Sequence, residues 1–220
     1  MSITAFDQPV RHWIIEPFAQ PDMLQAIPPP ADDPCWTRYD NDCERRKRTW
    51  NKIDPVSPWG RLFGWLASPW TVEALGRLTG IDGLQADPLL YGAGLHVTDP
   101  GGWLQVHADY EIHSTLPDME RRLSLVLPVH QEWREEWGGE LLLCDAMGKP
   151  VRQYLPLPNR AMIFENGPSS FHGVRVTTAD APLRITAAAY FLGPIRPTAC
   201  RKRAMFLPNR ASPGVPNEVK

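Results

Sequence analysis

Six histidines occur among the 220 residues, at positions 12, 96, 107, 113, 130 and 172. One of them opens the tripeptide His107-Ala108-Asp109. On an extended strand, side chains two apart project from one face, so an imidazole and a carboxylate at this spacing can chelate one metal ion. An isolated H-x-D arises readily by chance and needs a further donor before it means anything. His172, in the strand-forming run SFHGVRVT, supplies one. Two imidazoles and one carboxylate form the facial donor set that suits non-haem iron(II) and leaves coordination positions open. Further on, Leu183-Arg184-Ile185-Thr186 puts an arginine and a hydroxyl on one face of another strand. The guanidinium fork and the threonine hydroxyl can together grip a carboxylate.

These side chains need a frame, and composition restricts what it can be. The chain has 24 Pro and 16 Gly, which excludes a helical bundle because both residues break long helices. A hydrophobic fraction of 43% with 22% charged residues excludes wholesale disorder. The apolar runs are too short and too interrupted for a membrane-spanning helix. The start, MSITAFDQPVRHW, has no basic segment followed by an apolar one, so the sequence predicts a cytoplasmic protein. A net charge of −2 argues against a nucleic-acid partner. Four scattered cysteines (35, 43, 144 and 200) form no C-x-x-C pair and read as reduced thiols.

The whole chain, 1–220, reads as a single domain in three parts. Residues 1–87 form an N-terminal support region. VRHWIIEPF (10–18) alternates like a strand, PDMLQAI (21–27) suits one or two helical turns, and 31–57, with its basic run ERRKR, reads as a polar loop. A helix is expected over roughly 58–79, split or kinked at Pro69, with Leu62, Leu66, Val72, Leu75 and Leu78 along one face and Gly80 ending it. Residues 88–193 carry about eight short strands: PLLYGAGLHVT, GWLQVHAD, RLSLVLPVH, GELLLCD, VRQYLPL, RAMIFEN, SFHGVRVT and RITAAAYFL. Turn signals such as DPGG, EEWGGE, MGKP, ENGPSS and ADAP separate them. This pattern predicts a mainly β fold with flanking helices around a jelly-roll core. The basic, Pro-rich stretch 194–220 reads as a solvated tail.

The stretch 95–193 resembles the prolyl-4-hydroxylase-like branch of the Fe(II)/2-oxoglutarate-dependent dioxygenases. The likeness lies in LHVTDPGGWLQVHAD, RRLSLVLPVHQEW, EEWGGELLLCD, NRAMIFENGPSSFHGVRV and LRITAAAYFL, taken in that order. The resemblance implies a double-stranded β-helix of cupin-like type, with iron on His107, Asp109 and His172 as metal-binding and catalytic residues. It implies that Arg184, assisted by Thr186, binds the far carboxylate of 2-oxoglutarate. The cofactor and co-substrates would be Fe(II), 2-oxoglutarate and O2, with ascorbate as a stimulant. The activity would be hydroxylation of an unactivated C–H bond, with release of succinate and CO2. An amino acid or a prolyl or peptidyl substrate is expected, and a saccharide or other small metabolite is the alternative. Family halogenases replace the carboxylate with a small residue, so Asp109 favours hydroxylation. Two tyrosines common in the family fall here on Val97 and Pro128, which leaves Tyr91 as a candidate contact to 2-oxoglutarate. A non-oxidative, cupin-like metal-binding or sensing module is the competing class. It would normally show H-x-H with a following Glu, which this chain lacks.

Other residues are placed by the same reading. Trp103 and Leu104 belong to the core, while Tyr110 and His113 rim the pocket. Phe164 and Phe171 keep the metal site dry. Of Arg121 and Arg122, one faces the pocket and one faces solvent. Arg175 is a candidate at the 2-oxoglutarate mouth, and His96 and His130 are structural or surface residues. Gly138 and Gly139 make a hairpin turn. Trp13, Trp36, Trp50 and Trp59 offer an open aromatic surface to a substrate.

Overall fold

A computed structural model of the protein describes residues 1–24 and 27–207. Strand accounts for 39% and helix for 13%, so the fold is mainly β, as expected. The N-terminal region contributes strands β1 (Ser2–Phe6) and β2 (His12–Glu16), a short 3-10 turn at Pro21–Leu24, and strands β3 (Thr37–Tyr39) and β4 (Glu44–Trp50). Helices α1 (Pro58–Leu66) and α2 (Pro69–Thr79) follow, then β5 (Gln85–Ala86). The remaining strands are β6 (Gly94–Ala108), β7 (Met119–Pro128), β8 (Leu141–Cys144), β9 (Pro150–Tyr154), β10 (Ala161–Glu165), β11 (His172–Val174), β12 (Arg184–Pro194) and β13 (Met205–Phe206). They form one antiparallel sheet whose main path runs β1-β2-β10-β7-β12-β6-β11-β8-β9. The sheet curls, so that β4, β6, β7, β8, β10, β11 and β12 all contribute side chains to one cavity.

Two antiparallel neighbours, β7 and β12, separate a dry face from a wet one by simple alternation. Ile185, Ala187, Ala189 and Phe191 of β12 and Leu123, Leu125 and Leu127 of β7 lie in or against the main core, with Trp13, Trp59, Leu62, Leu66 and Leu75. The intervening Arg184, Thr186, Ala188 and Tyr190, with Ser124 and Val126, face the cavity. Period-two side-chain direction thus places hydrocarbon under the helices and polar groups opposite them.

Of the two alternatives at Pro69, the chain takes the split: α1 and α2 are separate helices. Ser57 and Ser68 each adopt extended backbone and accept a hydrogen bond from the amide of Gly60 and Thr71, respectively, with proline at the first helical turn of each. Gly80 ends α2 in the left-handed region, φ 71°, as the sequence predicts. Of the expected apolar face, Leu62, Leu66 and Leu75 are buried, and Val72 and Leu78 pack against them. Residues 21–24 form a helical turn, and the rest of the turn expected over 21–27 includes positions 25 and 26, outside the described residues.

Three expectations need correction. Residues 31–57 are not a plain loop, because β3 and β4 form a hairpin and β4 pairs along β6. The strand hid in the sequence because ERRKR is long-chained and charged: Arg48 is 5% exposed and reaches Asp99 at 2.6 Å, while Arg45 and Arg46 are exposed. DPGG does not separate two strands. β6 runs through it, and the strain is taken up as a register shift opposite Arg45–Lys47. The segment after Pro194 is not a free tail up to residue 207, because β13 pairs with β6. Residues 208–220 of the expected tail lie outside the described residues.

Leu125 is fully buried at the centre of this core. Its truncation to alanine is expected to lower unfolding stability by about 3 kcal/mol in urea titration. A loss below about 1 kcal/mol would contradict the placement of this face under the helices.

Candidate active site

The H-x-D pair sits where β6 ends, with His107 on the strand and Asp109 just beyond it. β11 pairs with β6 so that His172 is directly opposite His107. The ring centroids are 4.3 Å apart. The ligand atoms of His107, Asp109 and His172 all lie within 4.8 Å of one another. Each imidazole Nε2 is 3.4 Å from an Asp109 oxygen, His107 from Oδ1 and His172 from Oδ2.

The other ring nitrogens settle which atoms are free. Nδ1 of His107 lies 2.9 Å from the carbonyl of Gln105, and Nδ1 of His172 lies 2.9 Å from the carbonyl of Ser170. A carbonyl can only accept, so each Nδ1 carries the proton and each Nε2 presents a lone pair to the centre. This second contact is the usual way a metal-ligating histidine is oriented. Burial, followed by the neighbouring His107, pushes the pKa of His172 down to about 4, so it is neutral at pH 7. Burial opposes the charge on Asp109, yet Arg121 and the two histidines outweigh it and hold the carboxyl well below the usual range. Asp109 Oδ2 is buried and, although ion-paired with Arg121, receives no well-formed hydrogen bond among the described residues. An inward carboxylate oxygen and two inward lone pairs fit a hard or borderline divalent cation with an N2O donor set.

Arg121 braces this carboxylate, with a terminal nitrogen 3.1 Å from Asp109 Oδ2. Its guanidinium also lies over the rings of Tyr190 and Tyr110. Arg121 is 2% exposed and lines the cavity, while Arg122 is half-buried and does not line it. Phe164 lines the cavity, 4.8 Å from the His172 ring, whereas Phe171 packs in an adjoining apolar cluster.

The cavity encloses about 590 Å³. Arg184 and Thr186 both face it and are 4% and 2% exposed. Arg184 donates from Nε to the carbonyl of Gly139 at 2.8 Å. No carboxylate among the described residues lies within ion-pair distance of it. Burial lowers its pKa to about 10, with Glu140 opposing the shift, so it remains a cation. A buried cation without a counter-ion is costly, and an anionic ligand would remove that cost. The carbonyl of Gly139 is aimed by left-handed backbone at Gly138 and Gly139, φ 65° and 73°. These glycines follow a 3-10 turn (Glu135–Trp137) and bridge to Thr177 rather than closing a simple hairpin.

Other expected residues are redistributed. Tyr91 lies in a turn before β6 at the cavity rim, with its ring against Tyr110 and His113. Tyr190, four residues past Thr186 on the same face of β12, also lines the cavity; its hydroxyl donates to the carbonyl of Gly92 at 2.9 Å. Extending the alternation 184, 186, 188 would have found it. His96 lines the cavity, where burial lowers its pKa to about 3. Leu104 faces the cavity while Trp103 does not line it. Arg175 turns away to Glu140 and Gln153. Trp13, Trp36 and Trp59 are buried in the core, so no open tryptophan surface exists there. Arg48 stacks on Trp36, which turns that ring inward.

The comparisons with known proteins agree with this geometry. Residues 93–192 match the family model of the 2OG-Fe(II) oxygenase superfamily. A search of curated proteins finds no significant match. A prolyl-4-hydroxylase from Pseudomonas putida has a similar solved structure at 16% identity, covering 83% of this chain and 92% of that one, with a TM-score of 0.58. HygX from Streptomyces hygroscopicus, solved with nickel and 2-oxoglutarate bound, is similar at 11% identity, covering 86% and 85%, with a TM-score of 0.53. At these identities the likeness concerns the fold, which is the jelly-roll type expected.

The strand that carries Arg184 is pinned by a histidine whose protonation state is fixed by its contacts. His130 donates from Nε2 to the carbonyl of Pro156 and accepts at Nδ1 from the amide of Ile185. Protonating Nδ1 would set two donors against each other. Burial accordingly lowers its pKa to about 4. A histidine depressed in the folded state contributes its stability above pH 6.5, and that contribution is lost as pH falls toward 4. Across that window the stability of the wild type should drop by up to about 3 kcal/mol more than that of His130→Gln, measured by urea denaturation at successive pH values. Parallel curves would contradict the assigned hydrogen bonding.

Proposed function

We propose that this protein is a 2OG-Fe(II) oxygenase that hydroxylates an unactivated C–H bond of an amino acid or a prolyl or peptidyl substrate. The observation that carries the reading is the convergence of His107, Asp109 and His172 on one point of a cavity that also holds Arg184, a buried cation with no ion pair among the described residues. When bound, iron and 2-oxoglutarate supply the oxidising chemistry: 2-oxoglutarate and O2 become succinate and CO2 while one oxygen atom enters the C–H bond as a hydroxyl.

In this reading His107, Asp109 and His172 hold the metal on one face and leave the other face to the co-substrates. Gln105 and Ser170, through their carbonyls, keep the two imidazoles in the ligating tautomer. Arg121 keeps Asp109 ionised and fixes its plane. Arg184 receives the far carboxylate of 2-oxoglutarate on its terminal nitrogens, since Nε is already committed to Gly139. Thr186, one register step along β12 on the same face, adds a hydroxyl. Phe164 and Leu104 exclude water from the metal side of the cavity.

Two variants separate these roles. His107→Ala is expected to lose Fe(II) retention in anaerobic equilibrium dialysis and to abolish 2-oxoglutarate consumption. Arg184→Leu is expected to retain Fe(II) but weaken 2-oxoglutarate by roughly thirtyfold, the loss of a charge-assisted contact worth about 2 kcal/mol. Wild-type 2-oxoglutarate affinity in Arg184→Leu would overturn that assignment.

A further inference from the structure

The segment after β12 crosses back over the cavity and is tied down at three points. Arg196 donates to Glu120, which is fully buried, through its backbone amide at 2.8 Å and Nε at 2.9 Å. Arg201 donates to the carbonyls of Asp109 at 2.7 Å and Gly167 at 3.1 Å, and the buried Glu111 accepts from its amide. β13 then pairs with His107 and Ala108, and Phe206 stacks on the His107 ring with centroids 5.1 Å apart and planes at 26°. Between the second and third ties lie Lys202 and Arg203, both exposed and both lining the cavity.

The charges around the cavity do not cancel. Arg121 is matched by Asp109, and Lys47 by Glu44 at 2.6 Å. Arg184 is answered by the distal carboxylate of 2-oxoglutarate in the reading above. Lys202 and Arg203 have no ion-pair partner among the described residues. Two unpaired cations held at the rim by a docked strap raise the local concentration of anions and disfavour cationic groups.

We infer that Lys202 and Arg203, presented by this strap, select a primary substrate that carries a carboxylate or phosphate group beside the C–H bond to be oxidised. This rests on reading the cavity as the hydroxylation site. The strap holds the two side chains on the same wall as Phe206 and His107, so the anion is gripped at the rim while the remainder of the molecule extends toward the metal. Lys47, on the cavity lining from β4, already has its partner and adds no net charge.

The test uses the full chain loaded anaerobically with Fe(II) and 2-oxoglutarate, titrated calorimetrically with matched probes. One pair is acetyl-Pro-Asp-amide against acetyl-Pro-Asn-amide, and the other is galactose 6-phosphate against galactose, which separates carboxylate from phosphate sources. The anionic member of at least one pair should bind tenfold or more tightly than its neutral partner. That advantage should shrink at 0.5 M salt and fall below threefold in the variant Lys202→Gln/Arg203→Gln. Both substituted side chains are exposed, and an unchanged melting temperature shows that the variant is folded. The salt dependence of the wild type tests the same point without any substitution. Equal binding within both pairs, including no binding by any probe, overturns the inference, as does an advantage that survives in the variant. Failure of the wild type to retain 2-oxoglutarate defeats the proposed function, and this inference with it; retention without anion preference defeats this inference alone.

Discussion

Alternation along β7 and β12 is the constraint on which the rest depends. Each strand offers one side chain in two to the helices and the other to the cavity, and neither face can shift without the other. A slip of one residue on β12 would bury Arg184 and Thr186 under α1 and α2 and turn Ala187 and Phe191 into the cavity. The cost of burying an unpaired cation in hydrocarbon, added to the loss of the leucine and phenylalanine contacts, fixes the register. The chemistry-bearing side chains are therefore positioned by the apolar ones on the opposite face of the same strands.

The second organising feature is the treatment of buried charge. Asp109, Glu111 and Glu120 are all nearly or wholly withdrawn from water, and each has an arginine: Arg121, Arg201 and Arg196. Two of these pairs anchor the strap that follows β12, and the third braces the carboxylate between the two imidazoles. Arg184 breaks the pattern, since it is buried, donates to the carbonyl of Gly139 and forms no ion pair among the described residues. A buried cation without an acidic partner suits a site built for an anionic ligand.

Much of this was legible in the sequence. H-x-D followed by a distant histidine and an arginine marked the centre because chelation demands particular residue types at strand spacing. The strands after residue 88 were legible because turn residues punctuate them. What stayed hidden has physical reasons. β4 is a strand whose exposed positions are Arg45 and Arg46, so its polarity masked its pairing. β6 crosses Asp99-Pro100-Gly101-Gly102 as a bulge, where turn chemistry serves a strand instead of ending it. The tail was opaque because its docking relies on Glu111 and Glu120, acids remote in sequence whose burial no local pattern reveals. Tyr190 was within reach of the alternation that identified Arg184 and Thr186. Trp13, Trp36 and Trp59 are a caution in the other direction, since large aromatic side chains fill cores more readily than they offer surfaces.

The central claim is that one metal ion on His107, Asp109 and His172 holds 2-oxoglutarate beside Arg184. Anaerobic addition of Fe(II) and then 2-oxoglutarate to the purified apo-protein tests it most directly, read as the weak visible charge-transfer band of chelated 2-oxo acid. The account predicts that the band appears at one equivalent of Fe(II) in the wild type and is absent in His107→Ala. Folded wild-type protein that shows no band, or a band that persists in His107→Ala, would contradict it.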